Sequence, residues 1–288
     1  MCVTQVRQVA TCAVTAHPLG ARGTGAHWTE KPGKGGVVVG TSGTVRKGLE
    51  VLRVLGDAPQ GATAAEVTES TGFPFSTAYR LLATLVSSDF VEYDDATKRY
   101  HLGLRVFELG HRVASARGYD GVALTVLKEV TERTGESTLL AVLDGDHFLT
   151  VHTVDGPQFR TTTDPGDRGE LHTSALGKAL LAFMPGADRE RLVESLDLSP
   201  RTEESLTDRE TLRKEIAQTR ERGWAAQQGE HDDGMGAVAV PVVTPNGHLL
   251  ASLALAAPVF RCDRAELEAQ VPVLKEAAAR LAVQLPVR

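Results

Sequence analysis

The 288-residue sequence has few cysteines, few aromatic residues and no long apolar run. The cysteines, Cys2, Cys12 and Cys262, are odd in number and lack metal-site spacing, so neither a disulfide framework nor a cysteine-ligated metal is indicated. The longest apolar stretch, 249–259, is about half the length that a membrane helix needs. Because polar residues interrupt the first 20 positions, we also predict no signal peptide. These absences favour a reducing, cytoplasmic setting.

The composition is that of an ordinary globular protein, with 42% hydrophobic and 24% charged residues. A net charge of −6 argues against a chain that binds nucleic acid over its whole surface, but it leaves room for a local basic patch. The length predicts two domains. Residues 1–42 are rich in Gly, Thr and Val without helical periodicity, and we expect this extension to be disordered.

Residues 63–85 carry the most informative pattern, which predicts a helix, a tight turn and a second helix. Thr63 and Glu66 have capping-box spacing. Gly72 tolerates the left-handed conformation of a helix end, and Pro74 suits the first turn of the next helix. In that helix, apolar residues recur at i, i+3, i+4 and i+7 and predict one buried stripe, made of Ala78, Leu81, Leu82 and Leu85.

The opposite face of the second helix is polar and carries Ser76, Thr77, Arg80, Ala83 and Thr84. Short hydroxyls and an arginine at the start of a helix suit the DNA major groove, with Arg80 reading a base edge and the hydroxyls bonding phosphates. The alternative is a solvated face of a helical hairpin, with Arg80 in a surface salt bridge. Tyr79 fits either a phosphate contact or packing at the edge of the core.

Two alternating runs, 90–93 and 99–102, surround the turn at 94–97 and predict a short hairpin. A hairpin directly after the second helix is the wing of a winged helix-turn-helix. Lys98 and Arg99, near its tip, are predicted to contact the phosphate backbone.

A first helix over about 45–55 completes this small domain and begins beside Arg46 and Lys47, which are further candidate DNA contacts. Its residues predicted to face the core are Val45, Leu49, Leu52 and Leu55. After the wing, the segment 102–116 has near-helical spacing of Leu104, Phe107, Leu109 and Val113. Apolar residues on more than one side of this linker helix predict that it packs against a partner, such as a second subunit.

The remainder, 119–288, mixes helical and strand patterns. Helices are predicted at 122–134, 172–183, 207–222 and 263–285, the last bent at Pro272. Strands are predicted at 138–143, 148–154, 159–163, 237–243 and 249–256. Strands interleaved with flanking helices indicate an α+β domain with one antiparallel or mixed sheet.

These motifs together resemble the isocitrate-lyase-regulator (IclR) family of bacterial transcription regulators. The resemblance covers 45–288 and rests on VRKGLEVLRVL, TGFPFSTAYRLLATL, RYHLGLRVFELG, LHTSALGKALLAF and GAVAVPVVTPNGHLLASLALAAPVFR, in that order. It implies a winged helix at 43–103, a linker helix at 104–118 and a GAF-like effector-binding domain at 119–288. It also implies a homodimer or homotetramer on a pseudo-palindromic double-stranded DNA operator, with no cofactor.

The resemblance implies an effector pocket at Ala175, Leu176, Gln227, Met235, Ala237, Ala254 and Ala256. Because so many of these side chains are alanine, we expect a less polar effector, such as an aromatic or hydrophobic acid. The backbone amides at 175 and 176 would hold its carboxylate. Glu230 matches a carboxylate that the family places over the pocket, whereas 230–233 by composition reads as a solvated loop. At the start of the second helix the family often has a lysine, and here Phe75 stands instead.

No catalytic constellation is predicted. His172 and Ser174 lack a nucleophile elbow, and helix capping by Ser174 or Thr173 explains them better. The pair Gly177-Lys178 lacks the rest of a phosphate-binding loop and indicates helix packing. Scattered histidines without ligand spacing predict no metal site. Two other classes stay open: an enzyme with an accessory nucleic-acid anchor, and an interaction adaptor whose winged helix does not touch DNA.

Overall fold

The computed structural model describes residues 42–161 and 163–287. None of the helices in these ranges is long and apolar enough to cross a membrane. The disorder expected for residues 1–42 concerns a segment that, apart from Ser42, lies outside the described residues. Ser42 belongs to the first domain, because its side chain caps the first helix.

The winged helix-turn-helix predicted at the start of the described chain is confirmed. Its elements are α1 (Gly43–Gly56), α2 (Ala64–Thr71), α3 (Phe75–Ser87), β1 (Val91–Asp94) and β2 (Arg99–Leu102). Strands β1 and β2 pair antiparallel in the register Val91↔Leu102. A single bridge from Ala62 to Tyr100 fastens the wing to the segment before α2.

Local sequence signals place α2 and α3 as expected. The Thr63 amide donates to Oε2 of Glu66 at 2.7 Å, and the Glu66 amide donates to Oγ1 of Thr63 at 3.2 Å, which completes the capping box. Gly72 ends α2 with φ 66°, a left-handed conformation. Pro74 then directly precedes α3. The predicted stripe of α3 is the core face: Ala78, Leu81 and Leu82 are buried and Leu85 packs against them.

The predicted core face of α1 is partly wrong. Val45 and Leu49 are both 61% exposed, whereas Val51 and Val54 are buried together with Leu55. Apolar residues lie on more than one side of this helix, and the three-helix core covers only one of those sides. Hydrophobicity alone therefore does not fix which way the helix faces.

The linker helix is α4 (Leu104–Ala116), which has no buried residue. The four large apolar residues of this helix that the sequence analysis singled out are all exposed, as expected for a helix that no other described element covers: Leu104, Phe107, Leu109 and Val113. A π-helical turn at Tyr119–Ala123 joins it to the second domain.

The second domain is α+β, with one sheet that is entirely antiparallel among the described residues. Its helices are α5 (Leu124–Thr134), α6 (Ala175–Phe183), α7 (Gly186–Ser195), α8 (Arg209–Arg222), α9 (Arg264–Ala269) and α10 (Val271–Gln284). Its strands are β3 (Ser137–Asp144), β4 (His147–Val154), β5 (Arg168–Glu170), β6 (Ala225–Gln228), β7 (Met235–Val243) and β8 (Leu249–Pro258), in the spatial order β5-β4-β3-β8-β7-β6.

Several assignments in this domain differ from expectation. The strand predicted at 159–163 is wrong, since none of the described residues 159–161 and 163 lies in a strand, and the third strand of the domain is β5. The segment before β5 is held by side chains instead of a ladder, since Oγ of Ser137 donates to the Phe159 carbonyl and Oγ1 of Thr153 to the Thr163 carbonyl. Helix α7 and strand β6 were not predicted. The closing helix is divided at Gln270 into α9 and α10, with Pro272 in the first turn of α10.

The two faces of the sheet pack against different helices. Helices α5, α9 and α10 cover a face rich in Val and Leu. The other face meets α6, α7 and α8, and its central strands contribute several alanines, including Ala239 and Ala254. Small side chains on this second face leave space between the sheet and the start of α6, and the candidate ligand site lies there.

Candidate functional sites

The outer face of α3 presents most of the predicted DNA contacts to solvent. Ser76, Tyr79, Arg80 and Thr84 are exposed, and Thr77 is half-buried. Arg80 forms no ion pair with any described residue. The surface salt bridge considered as the alternative for Arg80 is therefore absent among the described residues, and the carboxylate of Glu50 accepts from Arg53. A guanidinium held by no internal acceptor is available for an external one.

The basic residues of the wing differ from each other. Lys98 lies at the tip with φ 57°, exposed, and its Nζ is 2.5 Å from Oδ1 of Asp95. Arg99 is half-buried, donating to the Gly61 carbonyl at 2.8 Å and to Oε2 of Glu66 at 3.1 Å. Arg99 thus fastens the wing to the cap of α2, and its predicted phosphate contact stays a prediction.

The two candidates on α1 also differ. Arg46 is exposed, whereas Lys47 is half-buried with its Nζ 5.3 Å from the centre of the Phe73 ring. That distance is within cation–π range. A nearby hollow between α1, α2 and β2 is lined by charged groups, but these pair with one another, as Arg53 does with Asp57. We assign no ligand to this hollow.

The seven residues implied as an effector pocket all line one cleft between α6 and the sheet. The cleft encloses about 500 Å³ of unfilled space, part of it open to solvent. The predicted members are Ala175, Leu176, Gln227, Met235, Ala237, Ala254 and Ala256. The residues that sequence reasoning missed are Leu139, Phe148, Thr161, Thr163, Ser174, His231, Asp232 and Gly236. Apolar atoms make up most of the wall, so the cleft suits a ligand with an apolar body.

The start of α6 forms one end of the cleft. Ser174 is the cap, as predicted, and its Oγ accepts from the Gly177 amide at 2.9 Å. The amides of Ala175 and Leu176 donate to no described residue and remain available at the positive end of the helix. Gly177 allows the close approach that seats this helix, because an added Cβ would lie 2.4 Å from Cα of Leu171.

Sequence reasoning missed a buried ion pair behind the cleft. Lys178 is 1% exposed, and its Nζ donates to both carboxylate oxygens of Glu230 at 2.7 Å and to the Ala226 carbonyl at 3.0 Å. Burial lowers the pKa of Lys178 and raises the pKa of Glu230, and their mutual attraction opposes both changes. Because three acceptors surround the three ammonium protons, we assign the ionised pair.

The segment 230–233 is not the fully solvated loop that its composition indicated, because Glu230, His231 and Asp232 are half-buried and only Asp233 is exposed. Oγ1 of Thr202 donates to the Gly229 carbonyl at 2.6 Å, Oγ of Ser205 to the Glu230 carbonyl at 2.7 Å, and Nε of Arg201 to the His231 carbonyl at 2.8 Å. We call residues 201–205 the strap. The strap and the Lys178 pair hold the loop against one side of the cleft.

Two histidines lie within this polar region, and neither caps a helix. His172 is buried, with Nε2 3.2 Å from the Ser199 carbonyl and no partner at Nδ1 among the described atoms. Nδ1 of His231 lies 2.8 Å from Oγ1 of Thr173, and its ring is 5.9 Å from that of Phe148. Burial lowers the pKa of both rings; the charge of Arg201 lowers that of His231 further. Both shifts favour the neutral form of the ring.

A winged helix-turn-helix followed by a sensor domain with an apolar cleft defines a class, the ligand-responsive DNA-binding regulators. Comparison with known proteins agrees with this class. Residues 112–283 match the family model "Bacterial transcriptional regulator IclR C-terminal", and residues 44–95 match "IclR helix-turn-helix domain". The chain belongs to the IclR family of DNA-binding transcriptional regulators.

Individual relatives and structures agree with the family. The chain is 32% identical to the probable transcriptional regulator SauR of Cupriavidus necator, over 81% of this chain and 92% of SauR. It is 29% identical to an IclR regulator structure from Alicyclobacillus acidocaldarius, with a TM-score of 0.75, covering 84% of this chain and 98% of that one. An IclR homologue of Microbacterium hydrocarbonoxydans, complexed with 4-hydroxybenzoate, is 26% identical, with a TM-score of 0.74 and coverage of 83% and 98%.

Proposed function

We propose that this regulator is a cytoplasmic homo-oligomer whose operator binding responds to a small aromatic carboxylic acid held in the cleft. The α3 face and the tip of the wing would contact the operator. The observation that carries the ligand class is the combination of two amides, at Ala175 and Leu176, that have no partner among the described residues with a wall in which apolar atoms predominate.

The start of α6 supplies the anion-binding end. Backbone N–H groups at a helix start favour negative charge, through both hydrogen bonds and the helix dipole. The third amide, that of Gly177, is already used by Ser174. A carboxylate has two oxygens, which matches the two amides left over.

The opposite part of the cleft favours an unsaturated ring over a short polar chain. Leu139, Phe148 and Ala254 offer no hydrogen bond from their side chains, and the Gln227 amide group is used internally, by the Glu230 amide at 3.0 Å and the Met235 carbonyl at 3.4 Å. A small polar acid would lose its hydration there without replacement. The 4-hydroxybenzoate in the Microbacterium homologue is consistent with this ligand class.

Calorimetric titration of the full chain with three compounds tests this proposal. We expect 4-hydroxybenzoate to bind, because it has both the ring and the charge. We expect 4-hydroxybenzamide, which lacks the charge, and glyoxylate, which lacks the ring, to bind at least tenfold more weakly. Tighter binding of glyoxylate than of 4-hydroxybenzoate would overturn the ligand class.

The proposed homodimer or homotetramer rests on α4. Its exposed apolar residues cluster on a helix that no described element covers, and Phe107 is 72% exposed. Two copies would also supply the two winged helices that a pseudo-palindromic operator needs. Light scattering should therefore give at least twice the chain mass, and Phe107→Glu should lower it. The exposed Val283→Glu, on α10, is a matched control that should leave the mass unchanged.

The ligand would act by a population shift. It would favour one relative placement of the two winged helices, transmitted through the linker helices, and so change how well both contact their half-sites. This reading differs from an enzyme with a nucleic-acid anchor, which would consume the acid. Recovery of unchanged 4-hydroxybenzoate after prolonged incubation supports the regulator. An adaptor that ignores DNA would fail a gel shift with fragments from around its own gene.

A further inference from the structure

We propose that Phe75 is a specificity-determining residue that reads the C5-methyl group of a thymine in the operator, with Tyr79 stacked behind it as a positioning residue. The inference rests on the proposed placement of the α3 face against DNA. The group that Phe75 would recognise is the C5-methyl group, which thymine has and which cytosine and uracil lack.

Phe75 and Tyr79 form an aromatic pair that no described element buries. Phe75 is 57% exposed and Tyr79 is 54% exposed. Their ring centres lie 6.1 Å apart with planes at 21°, a stacked arrangement one helical turn apart. Leaving so much aromatic surface in water forgoes the usual gain from burial. The two rings therefore stack on each other while both remain exposed to solvent.

The pair lies within the proposed DNA face. Phe75 is the first residue of α3, and the N-terminal residues of a recognition helix are those that meet base edges. Ser76 and Arg80 follow Phe75 and Tyr79 by one position each, so the exposed polar row lies next to the exposed aromatic row, about 100° further around the helix.

The wing carries a second aromatic pair, Tyr93 on β1 and Tyr100 on β2. Tyr93 is 42% exposed and its ring centre is 4.8 Å from that of Tyr100.

The chemistry of a phenyl ring limits what it can read. Phe75 has no donor or acceptor, so it cannot bond a base edge or a phosphate. In the major groove only thymine presents a methyl group, and apolar contact with this group is a known form of direct readout. Arg80 would read a guanine in the same groove. Together they would give a half-site with one obligatory thymine.

The test removes only the methyl group. An operator is first selected with the full-length protein from a pool of random duplexes. Each thymine is then replaced in turn by uracil, and affinity is measured by fluorescence anisotropy. We expect one position in each half-site to weaken binding by about fourfold, the effect of one buried methyl group. Phe75→Ala should weaken binding to the thymine operator and abolish the effect of uracil there.

Matched variants keep the test decisive. Phe260→Ala removes a 79% exposed phenyl ring from the second domain and should leave both affinities unchanged. The inference is overturned if no uracil operator binds more weakly, or if Phe75→Ala stays equally sensitive to uracil. If Arg80→Ala nevertheless binds the operator more weakly in that case, the proposed DNA face is retained and only the inference about Phe75 is lost. No effect of Arg80→Ala would overturn the face as well.

Discussion

The outer face of α3 and the cleft under α6 make opposite use of their polar groups. On α3 the guanidinium of Arg80 has no acceptor in the part of the chain that the structure describes. Around the cleft, nearly every polar side chain is bonded within the protein: Gln227 to its own loop, Ser174 to the start of α6, and Lys178 to Glu230. A surface that reads a partner must keep side chains available. A buried cavity must satisfy most of them, and the backbone amides of Ala175 and Leu176 then become candidate contacts for the proposed ligand.

The largest expected effect concerns the buried side of this comparison. Glu230→Gln leaves Lys178 buried without its counter-charge and should lower the free energy of unfolding by about 3 kcal/mol. Urea denaturation measures this. The control is Glu210→Gln, which breaks the ion pair between Glu210 and Lys214, also 2.7 Å long. These two side chains are 79% and 68% exposed, so the loss of the pair should change stability little. Equal losses in the two variants would show that burial does not set the cost.

The next effect tests the exposed face of α3 by comparing Arg80 with Arg99, another arginine of the same domain. Arg80→Ala should weaken operator binding by about 1–3 kcal/mol and relax the sequence preference, with little change in thermal stability. Arg99→Ala should instead lower thermal stability, because Gly61 and Glu66 lose their partner. Anisotropy titrations and thermal unfolding check both. The reverse pattern would show that the wing, and not α3, carries the base contact.

A smaller effect is the pH dependence of stability that the buried His172 contributes. Burial lowers the folded-state pKa of His172 below its ordinary value of 6.5, so the unfolded chain binds the proton more readily. Stability is therefore full above about pH 6.5 and falls as pH drops from there towards the folded-state pKa. His172→Gln should flatten this slope in urea melts between pH 7.5 and 5. His248→Gln, at an exposed turn, is the control, and an equal flattening there would contradict the assignment.

The smallest effect belongs to the tip of the wing. Lys98→Ala should weaken binding to all DNA sequences alike and lower the slope of log affinity against log salt by about one unit, since one phosphate contact is lost. Titrations at several salt concentrations measure it. A change confined to the selected operator would instead place Lys98 at a base edge.

Local patterns predicted the winged helix well, because the capping box at Thr63, the turn at Gly72 and the hairpin each depend on neighbours in sequence. They misplaced the core face of α1 and missed β5 and β6, which have three and four residues and too little alternation to detect. The cleft was found only through family resemblance, since its residues come from distant segments.

The buried pair shows what a single sequence still offers. Lys178 stands in the middle of ALGKALLAF, where every other residue is apolar or glycine. A charge in such a helix must have a buried partner, so the sequence itself indicates that Lys178 is paired inside the protein. Its partner, Glu230, is 52 positions away, and no local pattern identifies it.

The strap has a consequence for substitutions along the edge of the cleft. Side chains of Arg201, Thr202 and Ser205 donate to three successive backbone carbonyls, at 229, 230 and 231. Since every residue type supplies the same carbonyl, a replacement at 231 changes a side chain that lines the cleft but leaves these three hydrogen bonds in place. The lining of the cleft at this position is therefore independent of what anchors the loop.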